Sequence, residues 1–84
     1  MENPLKIILE KNNVTPRMLS IATQTPITYI YNTLSGLTPI PGKVLEFLKN
    51  IGIDTAYLIK EFEEYRHQQR EKIIQEITKG KNKW

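Results

Sequence analysis

The sequence predicts an all-α domain of five helices, and three observations carry that expectation. Two Thr-Pro steps, Thr15-Pro16 and Thr25-Pro26, each set a hydroxyl before a proline. This pairing caps and opens a helix, because the N–H that proline lacks would have no intrahelical partner there. Val44, Phe47, Leu48 and Ile51 repeat at i, i+3, i+4 and i+7, the stripe of an amphipathic helix. No stretch alternates apolar and polar residues as a half-buried strand would.

Taken in order, Asn3-Pro4 forms the cap and first position of the first helix, whose Leu5, Ile8 and Leu9 share one face before Asn12-Asn13 ends it. The second helix is expected from Pro16 to Thr23, with Leu19 and Ala22 inward and Met18 or Ile21 flanking them. The third runs from Pro26 to about Leu34, and Gly36 is its left-handed stop. Residues 37–42 contain two prolines that remove backbone donors and hold the chain extended, so they read as a loop. The stripe from Val44 to Ile51 is the fourth helix, and Gly52 terminates it.

Asp54 caps a fifth helix with Tyr57, Leu58, Phe62 and Tyr65 inward. No residue breaks that helix before Gly80. Continued from Thr55 to Lys79 it would be about 37 Å long at 1.5 Å per residue, more than a small globule covers. Its apolar stripe stops at the polar residues 66–72 and resumes at Ile73, Ile74 and Ile77. The organisation is therefore a folded domain over residues 1–62 and a C-terminal helical extension with a basic tail over residues 63–84.

Eighty-four residues, 39% of them apolar, are enough for one small domain and no second core. The chain has no cysteine, which excludes a disulfide framework and a thiolate metal site and suits a reducing compartment. No apolar run is long enough to cross a bilayer, and Met1 to Glu10 lacks the marks of a signal peptide, so the expectation is a soluble protein. With one histidine and one aspartate, and glutamates set at helical spacing from Lys or Arg, no catalytic site, cofactor or metal site is expected. Net charge is +3; residues 1–59 hold five Lys or Arg against four Asp or Glu (+1), and residues 60–84 hold seven against five (+2). The 25 residues from Met18 to Gly42 carry no charge at all, whereas Lys79, Lys81 and Lys83 crowd the end of the chain.

The two helix starts ten residues apart leave room for one short helix, a tight turn and a second helix ending at Gly36. That is the spacing of a helix-turn-helix. Leu19-Ser20-Ile21-Ala22-Thr23-Gln24-Thr25-Pro26, then Ile30 to Leu34-Ser35-Gly36, then Ile51-Gly52-Ile53-Asp54-Thr55-Ala56-Tyr57-Leu58-Ile59 resemble the phage lambda repressor and Cro type of helix-turn-helix, the XRE family, across roughly residues 4–62. Leu19 takes the place of a core leucine, Ser20 that of the small residue between the paired helices, and Ile30 the buried position of the recognition helix. Gln24 stands where that family's turn usually has glycine, Thr25 where a buried Val or Ile is usual, and Thr33 where another apolar residue is common.

The resemblance implies a lambda-repressor-like five-helix fold whose third helix lies in the DNA major groove, with Ile27, Thr28 and Asn32 reaching base edges. Thr25, at the head of that helix, joins the DNA-facing set. Asn32 can pair with adenine N6 and N7, and Thr28 can offer a hydroxyl and a methyl. Periodicity alone allows a different roll, with Ile27, Ile30 and Leu34 all in the core and Tyr29 and Asn32 outward. Since Tyr29 and Tyr31 straddle Ile30, at least one phenol is expected to meet phosphate or sugar. The cationic share of the phosphate contacts is left to Arg17, Lys43 and the lysine tail.

The expected function is sequence-specific transcriptional regulation in the cytoplasm of a bacterial or phage-infected cell. It would act as a Cro- or CI-like repressor dimer on a two-fold related operator in double-stranded DNA. Phe62, Tyr65, Ile73, Ile74 and Ile77 are the expected dimer contacts. The alternative is a helix-turn-helix that binds protein, such as an antirepressor that sequesters another regulator, and it accounts for the uncharged run from Met18 to Gly42.

Overall fold

The computed structural model describes residues 2–81, and these form five helices: α1 Pro4–Lys11, α2 Pro16–Thr23, α3 Ile27–Leu34, α4 Gly42–Asn50 and α5 Thr55–Lys81. Side chains cap three of them. Asn3 Oδ1 accepts the N–H groups of Leu5 (2.9 Å) and Lys6 (3.3 Å), Thr15 Oγ1 accepts that of Met18 (3.1 Å), and Asp54 Oδ1 accepts that of Tyr57 (3.1 Å). The two remaining helices, α3 and α4, follow Pro26 and Pro41 and have no side-chain cap. Thr25 therefore does not cap α3 as the sequence suggested. Its side chain is buried, and its hydroxyl lies 2.9 Å from that of Thr23.

Leu5 and Leu9 of α1, Leu19 of α2, Ile30 of α3, Val44 and Leu48 of α4, and Leu58, Phe62 and Tyr65 of α5 meet in one core, with Ile40 sealing it from the proline loop. α3 packs chiefly on α2 and α1 on α5, while α4 touches both α2 and α5 and joins the two pairs. The residues expected inside mostly are. On α2 the inward partner of Leu19 is Thr23 rather than Ala22, which is exposed, because α2 is rolled toward the i, i+4 pair. Tyr57 is also exposed, since Leu58, Phe62 and Tyr65 at i, i+4 and i+7 define the buried face and Tyr57 is turned about 100° from Leu58. Ile51 lies at the end of α4 as its C-cap and is exposed too.

Two dimer expectations are corrected by the same packing. Phe62 is 1% and Tyr65 9% exposed, their ring centroids 6.0 Å apart inside the core, so neither is free to meet another chain. The packed part of α5 accordingly runs to Tyr65, beyond residue 62, and the helix then continues unbroken to Lys81. Its 27 residues span about 40 Å at 1.5 Å per residue. That rod accounts for most of the 49 Å long dimension of the molecule, whose other extents are 24 and 20 Å.

Buried threonines complete the interior without leaving a polar atom unpaired. Thr33 Oγ1 donates to Tyr29 O (2.9 Å) and lies 3.1 Å from Thr38 Oγ1, tying the second half of α3 to the proline loop. Among the described residues no buried side-chain nitrogen or oxygen lacks a partner.

Of the four described positions with positive φ, Asn13, Gln24, Gly36 and Gly52, two differ in what the site demands. Gly36 (φ +84°) passes so close to α5 that a Cβ there would stand 3.0 Å from Tyr65 Cε2. Gln24 (φ +53°) is exposed and occupies a left-handed position that favours glycine. Gly36→Ala should lower unfolding stability by about 1–3 kcal/mol, from backbone strain and the displaced ring. Gln24→Gly should leave it unchanged or raise it by up to about 1 kcal/mol. Urea unfolding of both variants checks the pair, and a large loss in Gln24→Gly would mean that its side chain holds the turn.

Candidate nucleic-acid interface

The turn between α2 and α3 is closed by its own backbone. The N–H of Thr25 reaches Ser20 O (3.1 Å) and that of Gln24 reaches Ile21 O (3.4 Å), the pair of bonds that ends a helix on a left-handed residue. Ser20 Oγ donates to Thr25 O (2.5 Å) and Thr23 Oγ1 to Leu19 O (2.7 Å). The small Ser20 thus links α2 to the residue before Pro26, and three short polar side chains occupy the corner where an apolar residue would otherwise pack. With Thr25 facing inward, its hydroxyl is withdrawn from any ligand, and the expectation that it contacts DNA is corrected.

The roll of α3 follows from its two buried residues. Ile30 and Thr33 point inward, Leu34 is half-buried, and Ile27, Thr28, Tyr29 and Tyr31 are exposed. Ile27, at the edge of the helix, is 37% exposed, so it does not complete a core stripe with Ile30 and Leu34. Both phenols reach solvent, Tyr31 (56%) more than Tyr29 (39%). Asn32 is half-buried, and among the described residues its carboxamide has no hydrogen-bond partner, while its main-chain carbonyl accepts from Leu37 N–H (2.9 Å) and Ser35 Oγ (2.8 Å). The fold thus holds the backbone of Asn32 and leaves its amide free to bond a ligand.

Arg17, on the first turn of α2, and Lys43, on the first turn of α4, are both exposed. The one ion pair among the described residues, Arg66 with Glu63 at 3.1 Å, lies on α5 and engages neither of them. Sequence reasoning missed a second source of positive potential. The Pro26 and Pro41 carbonyls accept the later N–H groups of Tyr29 and Ile30 and of Val44 and Leu45, but their side chains offer no acceptor, so the first N–H groups of α3 and α4, those of Ile27 and Thr28 and of Gly42 and Lys43, have no partner among the described residues. A helix start carries roughly half a positive charge, and these amides point where an anion can meet them. The signal lay in the Pro26 and Pro41 positions, with no hydroxyl or carboxylate free to cap the helices that follow.

Apolar side chains remain outside the core in two places. Met18, Ile21 and Leu37 are at least half exposed on α2 and in the loop after α3. On α5, Ile73, Ile74 and Ile77 are exposed, and a groove of about 610 Å³ between that helix and residues 35–37 is lined by Leu37, Ile73, Ile74, Arg66 and Arg70. Of the tail lysines, Lys79 is exposed, Lys81 closes α5, and Lys83 lies outside the described residues. Among the described residues no three His, Cys, Asp or Glu side chains group as metal ligands, and no helix is long and apolar enough to cross a membrane.

The five helices and the α2–turn–α3 unit are compatible with a helix-turn-helix. Comparison with models of protein families, with curated proteins and with solved structures gives no match for this chain.

Proposed function

We propose that this protein is a sequence-specific DNA-binding transcriptional regulator with a lambda-repressor-like helix-turn-helix, acting as a dimer that represses by covering a two-fold related operator. The observation that carries this reading is α3 itself. It is a short helix seated on α2 by a tight turn, exposing Thr28 and Tyr31 beside an Asn32 carboxamide that the fold leaves unbonded.

In the major groove that carboxamide would bond adenine N6 and N7 as a pair, worth about 1–3 kcal/mol of discrimination. Thr28, one turn earlier, would meet a base edge or a thymine methyl. The open N–H groups of α3 and α4, with Arg17, Lys43 and the Tyr31 hydroxyl, would take the phosphates on either side. A surface so poor in charge gives one subunit weak nonspecific affinity, and a second subunit would multiply it by raising the local concentration of the other half-site contacts. Ile73, Ile74 and Ile77, exposed on one rod, are the surface proposed to join the two.

A second reading is supported by the same neutrality. Met18, Ile21, Tyr31 and Leu37 form an uncharged, partly aromatic exterior of the sort that docks protein, so an antirepressor-like module that sequesters another regulator is the rival.

A salt titration on the DNA upstream of its own gene separates the two. Binding near 50 mM salt that weakens with a log–log slope of several supports the regulator, and its absence there overturns it. On the selected operator, Asn32→Ala should lose about 1–3 kcal/mol of discrimination at one base pair and keep nonspecific affinity; equal loss on every sequence would remove Asn32 from the base-reading role. Sedimentation of Ile73→Asp with Ile77→Asp checks the assembly: it should be monomeric where the unmodified chain is dimeric, with an unchanged helical spectrum, and identical masses would dispose of the α5 interface.

A further inference from the structure

Two side-chain hydrogen bonds join parts of the described chain that are far apart in sequence; one ends on the last carbonyl of α3 and the other on a carbonyl two residues beyond it. Asn3 Nδ2 donates to Leu34 O across 31 residues, and Arg66 Nε donates to Gly36 O at 3.3 Å across 30. All other side-chain hydrogen bonds of the described residues span five residues or fewer.

α3 has need of such ties. It has eight residues, packs chiefly on α2, and starts without a side-chain cap. Its last carbonyls lack intrahelical donors and accept bonds from elsewhere. The donors are well held. Asn3 is 7% exposed and its Oδ1 is already engaged in capping α1, which fixes the direction of its amide nitrogen. Arg66 is held through Nη1 by both oxygens of Glu63, at 3.1 and 3.4 Å, which leaves Nε directed at the loop. The loop can come so near because Gly36 has no side chain to strike Tyr65.

We infer that Asn3 and Arg66 are positioning residues for α3. One donor from the start of the chain and one from α5 fix the tilt of that helix on the body, and with it the placement of Thr28, Tyr31 and Asn32. Glu63 acts through Arg66, as the carboxylate that aims the guanidinium. Arg66 also lines the groove shared with Leu37, Ile73 and Ile74, so a chain seated on the isoleucine face bears on the residue that holds α3.

The consequence for base reading rests on the DNA-binding function proposed above; the consequence for α3 itself does not. Asn3→Asp keeps the acceptor that caps α1 and removes the donor to Leu34 O. Arg66→Lys keeps a cation beside Glu63 and removes Nε. For each variant and the pair, amide NMR shifts are measured on the full chain without DNA, followed by binding to the operator and to single-base-pair variants of it.

The expected result is a change of the Thr28, Tyr31 and Asn32 amide shifts, with those of α4 unmoved. On DNA, discrimination should fall about tenfold in the pair, equivalent to about 1.4 kcal/mol, at an unaltered salt slope. Unmoved α3 amides in both variants, or equal change throughout the chain, would overturn the inference, because a merely stabilising contact loosens the whole domain. Should Asn3→Asp fail to fold, Arg66→Lys gives the same two readouts from the partly exposed donor. If the unmodified protein binds no DNA, the repressor reading falls while the amide shifts still decide the role of the two donors.

Discussion

The approach of the Gly36 backbone to the Tyr65 ring is the contact on which the rest of the arrangement depends. The helices pack as two pairs, α2 with α3 and α1 with α5, and α4 spans between them. At Gly36 the connection leaving α3 comes against α5, so near that a Cβ would stand 3.0 Å from Tyr65 Cε2 and could be placed only if the ring gave way. That contact sets how near the exposed helix can sit to the long one. It also lets Arg66 and Asn3 reach carbonyls at and just beyond the end of α3. Burial of Phe62 and Tyr65 supplies the wall, at roughly 1.5–3 kcal/mol for a fully buried large apolar side chain.

The outer surface solves a problem of charge with backbone rather than side chains. Between Met18 and Gly42 there is no ionised group, yet two helices begin within that interval behind prolines whose side chains cannot cap them. Their open amides carry partial positive charge that is fixed in direction and cannot be lost by deprotonation. In the DNA-binding reading proposed above, such a surface would favour anions arranged at the spacing of its helix ends over anions in general. A lysine-rich surface would show the reverse preference.

Much of this fold was legible in the sequence, for reasons that can be named. The helices whose limits were read closely, α1, α2 and α4, are bounded by residues acting locally: Asn3 and Thr15 through their own oxygens, Pro41 and Gly52 through the backbone. What escaped was decided by tertiary packing. Thr25 has the chemistry of a cap, but the α2–α3 corner needed its side chain inside, so Pro26 took the cap position. Thr23 and Thr33 were buried because each hydroxyl found a carbonyl one turn back on its own helix, which removes the usual penalty for burying it. In the site, the outward set on α3 was readable only as two alternatives, and the packed helix, burying Ile30 with Thr33, leaves both Ile27 and Tyr29 exposed. The unbonded carboxamide of Asn32 and the bonds onto Leu34 and Gly36 depend on contacts across 30 residues or on their absence, which no periodicity encodes.

The length of α5 has a further consequence for order within the molecule. Forming the first turn of a helix is the unfavourable step, and here it is taken inside the core, where Leu58, Phe62 and Tyr65 hold the backbone in place. Every later turn, out to Lys81, adds to an existing end and needs only favourable propagation, which its Glu, Gln, Lys and Arg residues supply. A peptide of those outer residues alone would bear the cost of nucleation and be marginally helical in water. Attached to the body, the same residues continue an existing helix as a rod out to Lys81. The globule thus serves as the template on which its own extension is written.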